Sequence, residues 1–387
     1  MGFNRRQFLL LGGAVGGMGL SLAAQRLLAV NRAANVTSAP SQKLQNVTTT
    51  PIAQSSPTSG IFNPPRGDAR IVVISDLNSQ YGSTDYEPEV DQAIALLSTW
   101  KPDLVLCGGD MVAGQSPSLS NSELQAMWAG FDRHVSAPMR QAKIPYGFTL
   151  GNHDASGAIA SDGGFLFNKD RDAASVYWNA PSHNPGLQFV DRAGFPFYYT
   201  FQQNDIFFLV WDASTATIPA AQIAWAEKSL ASSTAQAAKL RIAIGHLPLY
   251  AITIGRDEPG EYLEKAEELR SLLERYKVHT YISGHDHAYY PGHKGNLELL
   301  HCGILGSGVR PLLNGNLRPQ KTLTVVDVSL SQADTTYTTY DMATLELVNQ
   351  QQLPKLIATP TAKVLRRDIE WASLTPAEQA LEYTPSY

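Results

Sequence analysis

After about residue 67, short runs of apolar and β-branched residues alternate with amphipathic stretches. Apolar residues recur at helical spacing at Val90, Ile94, Leu97 and Trp100, which predicts a helix over Pro88–Trp100. The same pattern predicts further helices at 123–141, 220–230 and 262–276. The predicted strands are 71–75, 104–107, 146–150, 197–200, 206–211, 241–245, 280–283, 297–302, 323–328 and 335–340.

Helices separate most of these strands, but the last three strands follow one another directly. This mixture predicts an α/β protein in which two mixed β-sheets pack together and helices flank them. We expect residues 67–345 to form this domain. The stretch 155–196 has no clear period, and an irregular stretch of this length is typical of a functional loop or an insertion. Residues 346–387 are expected to be a peripheral extension of the domain.

The first thirty residues have the features of an export signal. Arg5 and Arg6 precede an apolar, glycine-rich run that reaches Ala24, and the paired arginines resemble the twin-arginine class of bacterial signals. The run is short for a bilayer span, so we expect cleavage and no membrane span afterwards, with an uncleaved anchor as the alternative. The twin-arginine export machinery is then a partner, and the mature protein is periplasmic or extracellular. Residues 31–66, rich in Ser, Thr and Pro, are predicted to be a flexible tether.

Composition narrows the possible chemistry. The chain has 387 residues and a formal net charge of −5, from 30 Lys and Arg against 35 Asp and Glu. The negative sign argues against a protein that coats nucleic acid. Two cysteines are too few for a disulfide scaffold or a thiolate metal cluster. A transition metal would therefore have to bind to imidazole, amide and carboxylate groups.

Five of the predicted strands end at polar residues of the kinds that bind metals. These residues are Asp76 and Asn78 after 71–75, Asp110 after 104–107, Asn152, His153 and Asp154 after 146–150, His246 after 241–245, and His285 and His287 after 280–283. Each alone has a simpler explanation, because an Asp after a strand is often a helix cap and a single buried His is often structural. Ligands of open α/β sheets bind beyond the carboxyl ends of the strands, so the five ends together predict one crevice.

The order Asp-x-His, Gly-Asp, Gly-Asn-His-(Asp/Glu), His and Gly-His-x-His is the signature of the calcineurin-like metallophosphoesterases. Residues 76–287 resemble this family at every signature position except one. The resemblance implies a two-sheet sandwich flanked by helices and a dinuclear metal centre. It also implies the following roles: Asp76 and His287 on the first metal, Asn152, His246 and His285 on the second, Asp110 as the bridge between them, and His153 beside the leaving group, oriented by Asp154.

These expectations agree with the chemistry of phosphate esters. Two divalent ions held by two carboxylates keep a net positive charge that faces a phosphate. Ions about 3.5–4 Å apart polarise phosphoryl oxygens and lower the pKa of a bound water towards about 7. The sequence thus predicts a phosphohydrolase that cleaves phosphomonoesters or phosphodiesters with a metal-bound hydroxide. The ions are Mn, Fe, Zn or Mg, since oxygen and imidazole donors accept all of these.

The one departure from the signature is Asn78, which stands where the common pattern has histidine. Two hypotheses follow. Either Asn78 ligates an ion or orients a water and the first site is retuned, or the first site is weak. In the second case the protein is a weakly active or non-catalytic module that binds metal or phosphate. Arg256 and Arg310 are candidates for contacting a phosphate oxygen, with surface ion pairing as the alternative for each.

Overall fold

The computed structural model describes residues 61–385, so the predicted export signal and most of the predicted tether lie outside the described residues. The strands are β1 (Ala69–Ile74), β2 (Leu104–Cys107), β3 (Tyr146–Phe148), β4 (Gln188–Gly194), β5 (Tyr198–Gln203), β6 (Ile206–Val210), β7 (Leu240–Ile244), β8 (Thr280–Ser283), β9 (Tyr289–Lys294), β10 (Leu297–Cys302), β11 (Thr322–Ser329), β12 (Asp334–Asp341), β13 (Glu346–Leu347), β14 (Leu356–Ala358) and β15 (Lys363–Arg366). The α-helices are α1 (Pro88–Trp100), α2 (Asn121–Phe131), α3 (Ala137–Gln141), α4 (Asn152–Ala155), α5 (Asn168–Asn179), α6 (Ala220–Leu230), α7 (Ser233–Ala237), α8 (Ala266–Arg275) and α9 (Pro376–Gln379). In this part of the chain no helix is both long enough and apolar enough to cross a bilayer.

The strands form two mixed sheets, as predicted. The first sheet has the strand order β13-β12-β11-β1-β2-β3, and the second has the order β14-β15-β9-β10-β8-β7-β6-β5-β4. In the first sheet β1, β2 and β3 run parallel, and in the second β6, β7, β8 and β10 run parallel. The carboxyl ends of the parallel strands therefore lie at one edge of each sheet.

Local sequence explains where the early helices begin and end. Pro88 occupies the first turn of α1, where its missing N–H costs no hydrogen bond, and Val90 and Leu97 face the core. The helix α2 begins at Asn121, earlier than predicted, because Ser120 and Glu123 form a capping box. The predicted helix 123–141 is not continuous, since a π-helical turn at Asp132–Ser136 separates α2 from α3.

Two regions differ from the prediction. The stretch 155–196 contains a helix, α5, and an edge strand, β4, whose mostly exposed residues lack the apolar run of a core strand. The segment 346–387 is not peripheral, because its strands β14 and β15 extend the second sheet through pairing of β15 with β9. Ile357 and Val364 in these strands are fully buried. The strand β9 was also not predicted, because it contains Pro291 and Gly292, and residues of these types are rarely found in strands.

The two sheets are joined by polar contacts as well as apolar packing. The Tyr199 hydroxyl, on β5, donates a 2.6 Å hydrogen bond to the carbonyl of Phe148 and accepts one of 3.0 Å from its N–H. Tyr199 thus satisfies the main chain of β3, the edge strand of the first sheet. The Phe148 ring also stacks on Trp178 of α5 at a centroid distance of 3.9 Å, so the region 155–196 packs on the core.

A buried ion pair holds β1 against β11. Arg70 has only 2% of its surface exposed, and its Nε and Nη2 donate to the Asp327 carboxylate at 2.9 and 3.0 Å. The guanidinium also donates to the carbonyls of Pro64 and Trp100 at 2.7 and 3.2 Å. Because all these partners are buried, loss of the arginine would leave two carbonyls unpaired and the Asp327 charge with only the Gly67 N–H as a donor.

We expect Arg70→Ala to lower the free energy of unfolding by about 3–5 kcal/mol, since it leaves a buried charge without its partner. Urea denaturation monitored by circular dichroism measures this loss. Arg66→Ala is the control, because Arg66 pairs with Asp103 at the surface and exposed pairs contribute at most about 1 kcal/mol. Equal losses of unfolding free energy in Arg70→Ala and Arg66→Ala would contradict the stabilising role of the buried ion pair.

Candidate metal centre

The carboxyl ends of the parallel strands from both sheets meet at one junction. In the first sheet, Asp76, Asp110 and Asn152 follow β1, β2 and β3. In the second, His246 and His285 follow β7 and β8. The main-chain N–H of His285 donates to both carboxylate oxygens of Asp76 at 3.2 Å, which links the two sheets directly. The structure thus brings these five residues together.

Four side chains form what we call the second donor set: Asp110, Asn152, His246 and His285. The Nε2 atom of His246 lies 2.9 Å from Asn152 Oδ1 and 3.3 Å from Asp110 Oδ2. The Nδ1 atom of His285 lies 3.1 Å from the same Asn152 oxygen. One imidazole nitrogen of each histidine thus lies within 3.1 Å of the same amide oxygen, and a carboxylate oxygen of Asp110 lies beside His246. This combination of donors suits Zn²⁺, Mn²⁺ or Fe.

Asp76, Asp110 and His287 form the first donor set. His287 Nε2 lies 3.3 Å from Asp76 Oδ1. Ligand atoms of Asp76, Asp110 and His246 all lie within 4.8 Å of one another, so the two sets adjoin. Asp110 belongs to both, which is the position that the family resemblance implies for a bridging carboxylate.

Two buried atoms of these sets have no hydrogen-bond partner among residues 61–385: Asp110 Oδ2 and His287 Nε2. His246 Nε2 lies near the Asp110 oxygen but outside hydrogen-bonding geometry. Buried polar atoms are nearly always paired, so these two require an explanation. A cation beside each would satisfy them, and the residues therefore fit the pair of divalent ions that the resemblance implies.

The outward-facing nitrogen of each imidazole contacts an acceptor, which fixes the ring and its tautomer. These outer contacts are His246 Nδ1 to the Gly108 carbonyl at 2.7 Å, His287 Nδ1 to the Gly308 carbonyl at 2.8 Å, and His285 Nε2 to the Glu261 carboxylate at 2.9 Å. With its proton on the outer nitrogen, each ring directs a lone pair inward. Metal-binding histidines typically have this arrangement.

Sequence reasoning missed two side chains that support the second donor set. Glu261 accepts from His285, and Gln115 Oε1 accepts a 2.8 Å hydrogen bond from the Asn152 amide, which leaves Asn152 Oδ1 facing inward. Both residues lie in loops outside the family signature. No pattern in a single sequence marks them, because their roles arise only from chain folding that brings distant loops together.

The main chain at the junction is strained at four of the residues whose side chains form the donor sets. The φ angles of Asp76, Asp110, His285 and His287 are 51°, 54°, 67° and 56°. Residues with side chains rarely adopt these left-handed values, which cost of order 1–3 kcal/mol each. Close packing maintains this geometry, because a Cβ atom at Gly151 would collide with Asp110 Oδ1. Such strain is concentrated at functional sites.

Charges at the junction are strongly coupled. Burial raises the pKa of Asp110, but the charges of His246 and His153 outweigh burial and hold this pKa well below its ordinary value. Burial lowers the pKa of His246, but Asp110 and then Asp76 raise it overall to about 9. The raised pKa favours a second proton on His246, at Nε2, when no metal is bound, and metal binding would displace this proton.

His153 borders the donor sets, but Asp154 does not orient it as expected. Asp154 Oδ1 accepts from the N–H groups of Met111 and Val112 at 2.7 and 2.9 Å, and Oδ2 accepts from Gly151 at 2.8 Å. Its carboxylate therefore fixes main chain on both sides of the site. Burial and the nearby Asp110 charge raise the Asp154 pKa to about 7.

The His153 ring is held instead by a main-chain carbonyl. Its Nδ1 lies 3.2 Å from the Gly114 carbonyl, and its ring centroid is 5.2 Å from that of Tyr81. Burial lowers its pKa, although the Asp110 charge acts in the opposite direction. The backbone N–H of His153 donates to Asp110 Oδ1 at 2.9 Å, which places this residue directly beside the shared carboxylate.

Asn78 lies at the junction with its main chain fixed. Its N–H donates to the Asp110 carbonyl at 3.1 Å, and its own carbonyl accepts from Ser307. The Asn78 residue is buried. Ligation of a metal by Asn78 stays a prediction.

The two candidate phosphate-binding arginines differ in their surroundings. Arg256 Nη1 donates to Glu261 Oε2 at 2.6 Å, so this guanidinium is anchored close to His285. Arg310 Nη1 lies 3.4 Å from the Ile254 carbonyl, and the main-chain N–H of Arg310 donates to the His287 carbonyl. For both arginines a phosphate contact stays a prediction.

Comparison with known proteins defines the class of protein. A profile described as calcineurin-like phosphoesterase matches residues 69–289, more than half of the chain. The chain therefore belongs to the calcineurin-like phosphoesterase family. No protein of curated function matches the sequence.

Among the solved structures that are similar to this chain, a phosphatase supports the same fold. The purple acid phosphatase PPD1 of yellow lupin (Lupinus luteus) aligns with a TM-score of 0.52 and 17% identity, over 73% of this chain and 52% of the lupin chain. The present chain thus spans about half the length of that protein. Plasmodium GAP50, the anchor in the inner membrane complex, aligns with a TM-score of 0.47 and 14% identity, over 73% of this chain and 87% of that one.

We expect added Mn²⁺ to raise the melting temperature of chelator-treated protein. Ions that bind only the folded state stabilise it, by about 2.7 kcal/mol at a concentration one hundred times the Kd. Differential scanning calorimetry with EDTA and then with Mn²⁺ measures the shift. Asp110→Asn keeps the side-chain volume but removes the shared charge, so its shift should be much smaller.

Asp334→Asn is the control for this experiment. Asp334 belongs to a second cluster with His279 and Glu298, but Arg367 already pairs with both carboxylates at 2.8 and 3.0 Å. This variant should keep the full Mn²⁺ shift. A full shift in Asp110→Asn, or its loss in Asp334→Asn, would be inconsistent with the assigned centre.

Proposed function

We propose that this protein is an exported phosphohydrolase that cleaves phosphomonoesters or phosphodiesters at a dinuclear metal centre. One observation carries the proposal: the Asp110 carboxylate belongs to both donor sets, and its buried Oδ2 has no hydrogen-bond partner in the described chain. A carboxylate in this position suits a bridge between two cations. Family membership supports phosphoester hydrolysis as the reaction.

The donor sets define what the chain contributes to the reaction. Two divalent ions, when bound, supply Lewis-acid polarisation of the phosphoryl oxygens and activation of a water. Asp76 and Asp110 lower the positive charge of the ions without cancelling it, so a phosphate anion is still attracted. The imidazoles and Asn152 are fixed by their outer contacts before substrate binds, so little reorganisation is needed.

His153 is the proposed general acid. Its Nδ1 hydrogen bond to the Gly114 carbonyl fixes the ring and leaves Nε2 to hold the transferable proton. Burial disfavours the imidazolium form of His153, but the Asp110 charge beside it favours that form, and its Nε2 would protonate the departing alkoxide as the P–O bond breaks. The partly exposed position of His153 beside buried Asp110 suits contact with a leaving group.

We expect His153→Ala to lower kcat by about 10²–10⁴-fold, the usual contribution of a general acid. Bound metal should stay near the wild-type content, because His153 belongs to neither donor set. Hydrolysis of p-nitrophenyl phosphate and bis(p-nitrophenyl) phosphate measures the rate, and elemental analysis of the same sample measures the metal.

His134→Ala is the matched control, since His134 pairs with Asp91 at the surface. Its rate should equal that of the wild type. An unchanged rate in His153→Ala would contradict the assigned role. Two bound ions in a wild-type protein that hydrolyses neither ester would favour the alternative function, a metal- or phosphate-binding module, for which Asn78 is the motivating residue.

Export is the second part of the proposal. The paired arginines and the apolar, glycine-rich run after them support recognition by the twin-arginine machinery, which moves folded proteins. Such a route suits a metalloprotein, because its buried donor sets would be filled before export. Periplasmic or extracellular localisation follows from this route.

Replacement of both Arg5 and Arg6 by Lys is expected to retain the protein in the cytoplasm of a bacterial host with this machinery, because the paired guanidinium groups are the recognised feature. Cell fractionation and immunoblotting measure the distribution. Arg26→Lys, outside the pair, should be exported normally. Unchanged export of the double variant would show that another route is used.

A further inference from the structure

Glu261 is the one charged side chain that contacts a histidine of the second donor set from outside the site, within the described residues. It lies in the loop between β7 and α8, and no signature motif includes it. Its Oε2 atom accepts from His285 Nε2 at 2.9 Å and from Arg256 Nη1 at 2.6 Å. One carboxylate oxygen therefore joins a predicted metal ligand to an arginine.

The His285 ring spans the distance between the donor set and this carboxylate. Its Nδ1 faces the Asn152 oxygen at 3.1 Å, and its Nε2 faces Glu261. The other two imidazoles donate to main-chain carbonyls, whose positions the fold fixes. Glu261 is different, because a glutamate has three rotatable bonds and must itself be held in place.

Arg256 supplies this restraint. Its side chain is 14% exposed, whereas that of Glu261 is 31% exposed, so the arginine covers one side of a carboxylate that solvent still reaches. The Arg256 and His285 contacts use the same oxygen and together define its position. The phosphate contact predicted for Arg256 does not account for this arrangement.

We propose that Glu261 is a positioning residue for the metal ligand His285, and that Arg256 acts by holding Glu261. The inference rests on the proposed metal centre. By accepting the Nε2 proton, the carboxylate keeps Nδ1 unprotonated and aimed at the ion, and it raises the basicity of the ring. Outer partners of this kind typically contribute about 10–100-fold in metal affinity.

The test is Mn²⁺ affinity, measured by isothermal titration calorimetry on full-length protein freed of metal by EDTA. Glu261→Ala should weaken binding at one of the two sites by about 10–100-fold. Glu261→Gln keeps an acceptor for the Nε2 proton and should recover most of this loss. Glu274→Gln is the control, because Glu274 pairs with Arg270 on α8 away from the donor sets, and its affinity should not change.

The melting temperature of each EDTA-treated variant reports on folding. A folded Glu261→Ala protein with wild-type Mn²⁺ affinity would overturn the proposal. Equal losses in Glu261→Ala and Glu261→Gln would overturn the acceptor role. Because Mn²⁺ affinity is measured without substrate, this test is independent of the proposed function. If the wild-type protein hydrolysed no ester while Glu261→Ala still lost Mn²⁺ affinity, the proposed function would be refuted and this inference would stand.

Arg256→Ala separates the two roles of the arginine. A loss of Mn²⁺ affinity that is smaller than the loss in Glu261→Ala supports action through Glu261. A raised KM with unchanged Mn²⁺ affinity would instead establish a direct phosphate contact and would overturn the part of the proposal that concerns Arg256.

Discussion

Two aspartates buried at the junction of the sheets impose the main constraint on this structure. Asp76 and Asp110 are fully buried, and their carboxylates lie close together at the ends of neighbouring parallel strands. Like charges in such a place destabilise the fold unless positive charge is nearby. Asp110 and Asp76 raise the pKa of His246, which favours a positive charge there, and cations beside the carboxylates would offset more of the negative charge. Folding stability and metal binding are therefore aspects of the same interaction.

The surrounding main chain is organised by this constraint. Asp76, Asp110, His285 and His287 adopt left-handed φ angles, which only dense packing can hold. Asp154 contributes to that packing, since its carboxylate binds the N–H groups after Asp110 and before Asn152. Asp154, which the sequence predicted to orient His153, thus orients the loops that carry the metal-binding side chains.

The two donor sets are unequal. The second contains two imidazoles, an amide oxygen and the shared carboxylate, supported from outside by the side chains of Gln115 and Glu261. The first has one imidazole, and Asn78, whose ligation of metal is a prediction, stands where the common family pattern has histidine. An amide oxygen is a weaker ligand than imidazole for transition metals but suits harder ions such as Mg²⁺ or Mn²⁺. Differences in reactivity from other members of the family are therefore expected to arise at the first set.

Patterns local in the chain were sufficient to predict most core strands, though not β9, several of the helices, though not α5, and the polar residues at the strand ends. Hydrophobic periodicity depends on near neighbours, and parallel strands place their carboxyl ends at one edge. Tertiary structure alone decided the contacts of Asp154, the participation of Glu261, and the joining of β14 and β15 to the second sheet. These features depend on which distant segments approach each other, and hydrogen bonds across such separations leave no periodic signal in the sequence.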